Sequence, residues 1–217
     1  MLGEVVGFTL VSLSAVLVVV DPLAAVPFFL AMTAEEEPEG RRDIARRAAV
    51  AAFLVLAGFA VAGGIVFRAL GITMAAFKMA GGVLLLIMAV DMLRTRPSAA
   101  RITEPEVEEG AAKEDVAIVP LAMPLLAGPG SIATVVVLMA RARQEELWRA
   151  ASVLFAIAVT CAVTWLVLRS ASRVDRVLGR TGMALLQRVA GLLLAAIATQ
   201  FLVDGLSEAF PRLRSIL

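Results

Sequence analysis

Apolar residues in this chain fall into six long blocks, near residues 5–33, 47–69, 71–93, 116–140, 148–169 and 183–206, with polar stretches between them. A helix that crosses a hydrocarbon core needs roughly 20 mostly apolar residues, and each block supplies them. The pattern predicts an all-α, polytopic membrane protein of six transmembrane helices. The first block does not read as a cleavable leader. Glu4 stands where a basic segment belongs, and no small-residue cleavage site precedes a polar start. The charged run from Ala34 to Arg47 reads as a solvated loop. Arg173, Arg176 and Arg180, interleaved with Val174, Val177 and Leu178, read as a short amphipathic helix over 170–182 lying on the membrane surface.

The two halves echo each other. Lys78-Met79-Ala80-Gly81 matches Arg188-Val189-Ala190-Gly191, with Leu-rich runs after both. Pro22 through Pro27 matches Pro124 through Pro129, a proline, four residues and a proline each time. The chain thus divides into a three-helix repeat at 1–95, a polar linker at 96–115 and a second three-helix repeat at 116–217. Three helices per half is an odd number, so the second half must insert upside down. This is a 3+3 inverted-topology repeat, an arrangement found in secondary transporters.

Helices 1 and 4 are broken at corresponding places. Proline removes an amide donor and clashes with the carbonyl four residues back. In lipid, the freed backbone groups must be buried in protein or line a wet cavity. Paired breaks of this kind are the best sequence pointer to a binding site. The substrate-binding candidates are therefore Asp21, Pro22 and Pro27 in the first break and Gly128, Pro129, Gly130, Ser131 and Thr134 in the second. A helix restarting at Ser131 presents unpaired amides to an anion such as a carboxylate. Carbonyls unwound around Val26 and Ala127, or the Asp21 carboxylate, suit an ammonium. A zwitterion needs both poles. Gln200, late in helix 6, is a further candidate. Asp21-Pro22 also reads as an N-cap followed by a first-turn proline.

Composition removes other chemistries. The chain is 60% hydrophobic and 18% charged, with a mean hydropathy of +0.91; soluble chains average about 25% charged residues. It has no His and one Cys, Cys161, which excludes histidine-based triads, zinc sites and disulfide frameworks. No enzyme, cofactor or metal site is expected. The one catalytic alternative is an intramembrane pair of Asp91 and Asp204, which would have to approach and share a proton. A net charge of +1 gives no reason to expect a nucleic-acid partner.

Loop charges predict orientation. With the amino terminus outside, the inward loops carry Arg41, Arg42, Arg46 and Arg47, then Arg94, Arg96, Arg101 and Lys113, then Arg169, Arg173, Arg176 and Arg180. The outward side carries only Arg68, Arg141, Arg143, Arg149, Arg212 and Arg214. The positive-inside rule then places both termini outside. Lys78 and Arg188, near helix starts, are expected to snorkel to the interface. Gly81, Gly82 and Gly191 are expected at close helix contacts.

Three segments resemble the MarC family, also described as small neutral amino acid transporters. They are Val20 to Leu30 (VDPLAAVPFFL), Met123 to Ile132 (MPLLAGPGSI) and Arg188 to Gly205 in the last helix. The resemblance covers all six spans. It implies a bacterial or archaeal inner-membrane protein that carries glycine, alanine or serine. The broken helices add alternating access, with H⁺ or Na⁺ as possible coupling ions; the bilayer and the amino acid are the expected partners. The alternatives are an exporter of other small solutes and a non-transporting membrane protein.

Overall fold

In the computed structural model of the chain, residues 2–94, 117–143 and 147–210 are described. They form α1 (Leu2–Val20), α2 (Ala25–Met32), α3 (Pro38–Ala69), α4 (Met74–Leu93), α5 (Ala117–Leu126), α6 (Pro129–Arg143), α7 (Leu147–Arg169) and α8 (Ala171–Ala209). No strand occurs among the described residues. Five helices are long and apolar enough to cross a membrane, and α5 with α6 makes a sixth span bent by 61°. The linker expected at 96–115 lies outside the described residues.

One polar segment differs from the expectation. Pro38–Arg47 is helix, not loop. Thirty-two residues of α3 rise about 48 Å, well beyond a hydrocarbon core of about 30 Å. The charged run is the part of the span that stands out in water. The short helix expected at 170–182 is present as the first part of α8, from Ala171 to a break at Gly179. Gly179, at φ 58° and ψ −178°, breaks α8 there, a conformation open to glycine because it lacks a Cβ. Before that break Ala171, Val174 and Leu178 pack on the core, whereas Val177 is 77% exposed.

Many large apolar side chains face outward, among them Leu10, Leu54, Ile65, Leu185 and Leu192, all more than half exposed. Such a surface belongs in lipid. The interior has two parts. The larger cluster joins α1, α2, α3, α5, α6 and α7 around Phe29, Leu56, Leu121, Leu126 and Ile157. The smaller joins α4 and α8, with Val19 and Val137, around Leu85, Met88, Leu194 and Phe201.

Helices α4 and α8 pack closely and antiparallel. A Cβ on Gly82 would lie 2.9 Å from Leu202 Cγ and 3.0 Å from the Ala198 carbonyl. One on Gly191 would lie 3.1 Å from the Ala89 carbonyl and 3.2 Å from the Leu93 amide. A shift of 109 positions carries Gly82, Ala89 and Leu93 onto Gly191, Ala198 and Leu202, so each helix offers the other the same contact. The expected glycine contacts are present, with Gly82 rather than Gly81 as the counterpart of Gly191. Gly81 instead faces α6, where its Cβ would be 2.7 Å from that of Ala133.

Candidate functional site

The first break follows from Asp21-Pro22. Asp21 sits at φ 48°, in the left-handed region that Asp tolerates better than most residues. Its Oδ1 accepts a hydrogen bond from the Ala24 amide at 3.3 Å, and the Val26 amide bonds the Leu23 carbonyl at 3.1 Å. A tight turn thus separates α1 from α2, and the aspartate caps that turn. Asp21 and Pro22 are buried; Pro27, in the first turn of α2, is exposed.

The second break is built differently. Proline disfavours the helical region for the residue before it. Val119 and Met123, each preceding a proline, are extended at φ/ψ −128°/119° and −138°/122°. Both following prolyl bonds are cis, and α5 is a wide, irregular coil. Gly128 is required locally, because a Cβ there would lie 2.6 Å from the Pro124 carbonyl oxygen. Pro129 opens α6 and is exposed, while Gly130, Ser131 and Thr134 are buried. The first bond of α6 runs from the Ile132 amide to the Gly128 carbonyl at 3.0 Å. The Gly130 and Ser131 amides therefore precede the helical ladder. The Thr134 hydroxyl donates to the Gly130 carbonyl at 2.9 Å.

The two breaks meet. Helix α2 touches α5, and α1 touches α6. Val20, Ala25, Val26 and Phe29 from the first break share one buried cluster with Ala122, Leu125, Leu126 and Ala127 from the second. Val26, Leu126 and Ala127 have no exposure at all, so this junction is closed to solvent. Gly130 faces α4, where a Cβ would lie 2.6 Å from Leu85 Cδ2 and 3.0 Å from Met88 Sδ.

Gln200 is placed elsewhere. It is exposed, and its amide donates to Asp204 Oδ1 at 2.8 Å. Asp204 also pairs with Arg141 of α6. Lys78 does not snorkel. It is buried at the start of α4 and pairs with Glu208 of α8. Asp91 and Asp204 cannot form a catalytic pair. Asp91 lies level with Gly191, and thirteen residues of α8 separate Gly191 from Asp204, about 20 Å of helix rise.

Two buried hydroxyls lack a partner. Ser12 in α1 and Thr160 in α7 are fully buried, and neither Oγ has a hydrogen-bond partner among the described residues. The sequence predicts that Thr160 and Thr164 both bond the carbonyl four residues back; Thr164 does, to Thr160 at 2.8 Å, and Thr160 does not. Ser12 was passed over in the sequence, where an isolated hydroxyl inside a Leu- and Val-rich span was the available signal. Nearby, the Thr9 hydroxyl donates to Ser152 Oγ at 3.0 Å and ties α1 to α7.

Long apolar helices, an outward-facing apolar surface and two proline breaks meeting inside define a polytopic helical integral membrane protein. The sequence matches the MarC family of integral membrane proteins over residues 6–210. A UPF0056 membrane protein of Aquifex aeolicus is 38% identical over 194 residues, 89% of this chain and 90% of its own length. One from Methanocaldococcus jannaschii is 37% identical, covering 93% of this chain and 97% of its own. YhcE of Escherichia coli is 31% identical over 89% of both chains. The chain belongs to the MarC family. No solved structure matches it.

Proposed function

We propose that the protein is a secondary transporter of small neutral amino acids such as glycine, alanine and serine, working by alternating access around the two helix breaks. It would reside in the inner membrane with both termini outside. The observation that carries the proposal is the meeting of the two breaks in one buried cluster. A binding site at a junction of interrupted helices is a recurrent transporter design. The early amides of α6 suit a carboxylate, and Asp21 suits an ammonium or a coupling cation. Small residues around them, Ala24, Ala25, Ala127 and Gly128, leave room only for a short side chain. The reciprocal contact of α4 with α8 supports an inverted repeat. The closed junction corresponds to an occluded state, with the Lys78–Glu208 and Arg141–Asp204 pairs tying α8 to its neighbours at one end.

The test is flux of labelled glycine, alanine and serine in proteoliposomes, comparing wild type with Asp21→Asn. Asparagine tolerates the left-handed backbone and keeps the side-chain oxygen that accepts from Ala24, so only the charge is removed. We expect wild type to move at least one of the three and the variant to move it at least about tenfold more slowly, a loss of about 1.4 kcal/mol in the barrier. Folded wild type that moves none of them in either direction, and gains no thermal stability from them, overturns the amino-acid reading. Gly130→Leu is a poor probe, since leucine there would collide with Leu85 and Met88 before meeting any substrate.

A further inference from the structure

A groove runs between α3 and α7 on the membrane-facing surface, away from the breaks. At its mouth, Arg42, Leu166, Arg169, Ser170, Ser172 and Arg173 line a cavity of about 490 Å³. This opens into a smaller one lined by Glu39, Arg42, Asp43, Arg46, Trp165 and Arg169. Arg46 and Trp165 carry it into an apolar cleft of about 410 Å³ with walls of Ala49, Val50, Phe53, Ala158, Cys161 and Ala162. Arg42, Arg46, Val50 and Phe53 descend one face of α3, and Arg169, Trp165, Ala162 and Ala158 descend the facing stripe of α7. The small side chains on α7 are what leave the cleft open.

Charge and depth together select the occupant. Four guanidinium groups face two carboxylates at the mouth. Asp43 is taken up by Arg46, at 2.7 Å, and Arg169 lies over the Trp165 ring, 5.4 Å from its centre. No hydrogen bond or ion pair joins the Arg42 or Arg173 guanidinium to another described residue. From Arg46 at the mouth to Phe53 is seven residues, about 10 Å of helix rise, within the half-thickness of a hydrocarbon core of about 30 Å. The groove is thus basic where headgroups lie and apolar over the outer part of one leaflet. Basic pockets between transmembrane helices bind anionic lipid headgroups.

We propose that this groove holds one anionic phospholipid, its phosphate among Arg42, Arg169 and Arg173 and one acyl chain along Phe53, Cys161 and Ala158. The inference does not depend on what the protein transports. The test is native mass spectrometry of the detergent-purified protein titrated with phosphatidylglycerol or phosphatidylcholine, with thermal melts in either lipid or in inorganic phosphate. Two variants accompany wild type: R42Q/R169Q, and Ala158→Trp to fill the cleft. All three positions are exposed, and lipid-free melting temperatures equal to wild type show that the variants fold.

Wild type is expected to bind a single phosphatidylglycerol saturably and to melt higher with it, and phosphatidylcholine or phosphate to do neither. R42Q/R169Q weakens binding about thirtyfold, at about fivefold per basic residue near a headgroup. Ala158→Trp removes the bound lipid. Equal retention of phosphatidylcholine, protection by phosphate alone, or wild-type binding by either folded variant overturns the proposal. Should a variant fail to fold, Arg173→Gln or Ala162→Trp takes its place under the same criteria.

Discussion

The α4–α8 contact allows a stability prediction with its own internal control. At Gly205 a Cβ would lie 2.7 Å from Met79 Cγ, 2.9 Å from the Ala75 carbonyl oxygen and 3.1 Å from the Met79 amide nitrogen. Two of these three atoms are backbone, so alanine is accommodated only if the helix axes separate. Gly58, inside α3, has nothing within 4 Å of the same position. Alanine in place of helical glycine gains about 1 kcal/mol at either site. Overpacking a close contact costs about 1–3 kcal/mol. Gly58→Ala therefore keeps the gain, whereas Gly205→Ala loses about 1 kcal/mol net, a difference of about 2 kcal/mol. For a chain of this size that corresponds to a gap of about 4–8 °C in melting temperature. The measurement is thermal unfolding in mild detergent, followed by the fluorescence of Trp148 and Trp165. Gly191→Ala, whose Cβ would meet the Ala89 carbonyl and the Leu93 amide, should fall on the same side as Gly205→Ala. If both interface variants melt at or above Gly58→Ala, the helices are not in backbone contact and the packing described for α4 and α8 is wrong.

Other substitutions test the site and its supports. Asp21→Ala loses the bond to Ala24 and places alanine at a positive φ, a strain of about 1–2 kcal/mol; it should melt below wild type, and Asp21→Asn should not. Glu208→Leu leaves the buried Lys78 ammonium without its carboxylate and should lower stability by about 1–2 kcal/mol, less than a fully buried pair would lose because Glu208 is half exposed. Lys78→Met removes the buried charge itself and should cost less than Glu208→Leu in the same unfolding assay. Ser12→Ala and Thr160→Val each remove a buried hydroxyl without a partner, worth about 1–3 kcal/mol when unsatisfied. Both should melt at or above wild type. A fall in flux with unchanged melting would assign those hydroxyls to the transport path.

The spans and both breaks were legible because each depends on local chemistry. Apolar length marks the helices, and Asp21-Pro22 and Gly128-Pro129 mark places where a helix cannot continue. The start of α3 was not. Charged residues such as Glu39, Arg42 and Arg46 suit a water-exposed helix as well as a loop, and composition does not separate the two. Lys78 looked like an interfacial lysine because its partner, Glu208, lies 130 positions away. Gln200 looked available to a ligand until Asp204, one turn further along α8, was seen to accept from its amide. The glycines of the second break were read for what they would let approach. The structure adds what they already touch: the Pro124 carbonyl at Gly128 and two α4 side chains at Gly130.

The unequal division of the two broken spans bears on how the chain enters a membrane. In the first half α1, with 19 residues, meets the length for spanning by itself, and the eight residues of α2 follow a segment already able to cross. In the second half neither piece meets it: α5 has 10 residues and α6 has 15. An insertion machinery that partitions one segment at a time would release either fragment back to water. The pair must enter as one unit, across the Ala127-Gly128 joint, before the chain has bent. A charged residue at Ala127 would strike first at biogenesis, giving protein whose fourth span never crossed and whose later loops lie on the wrong side.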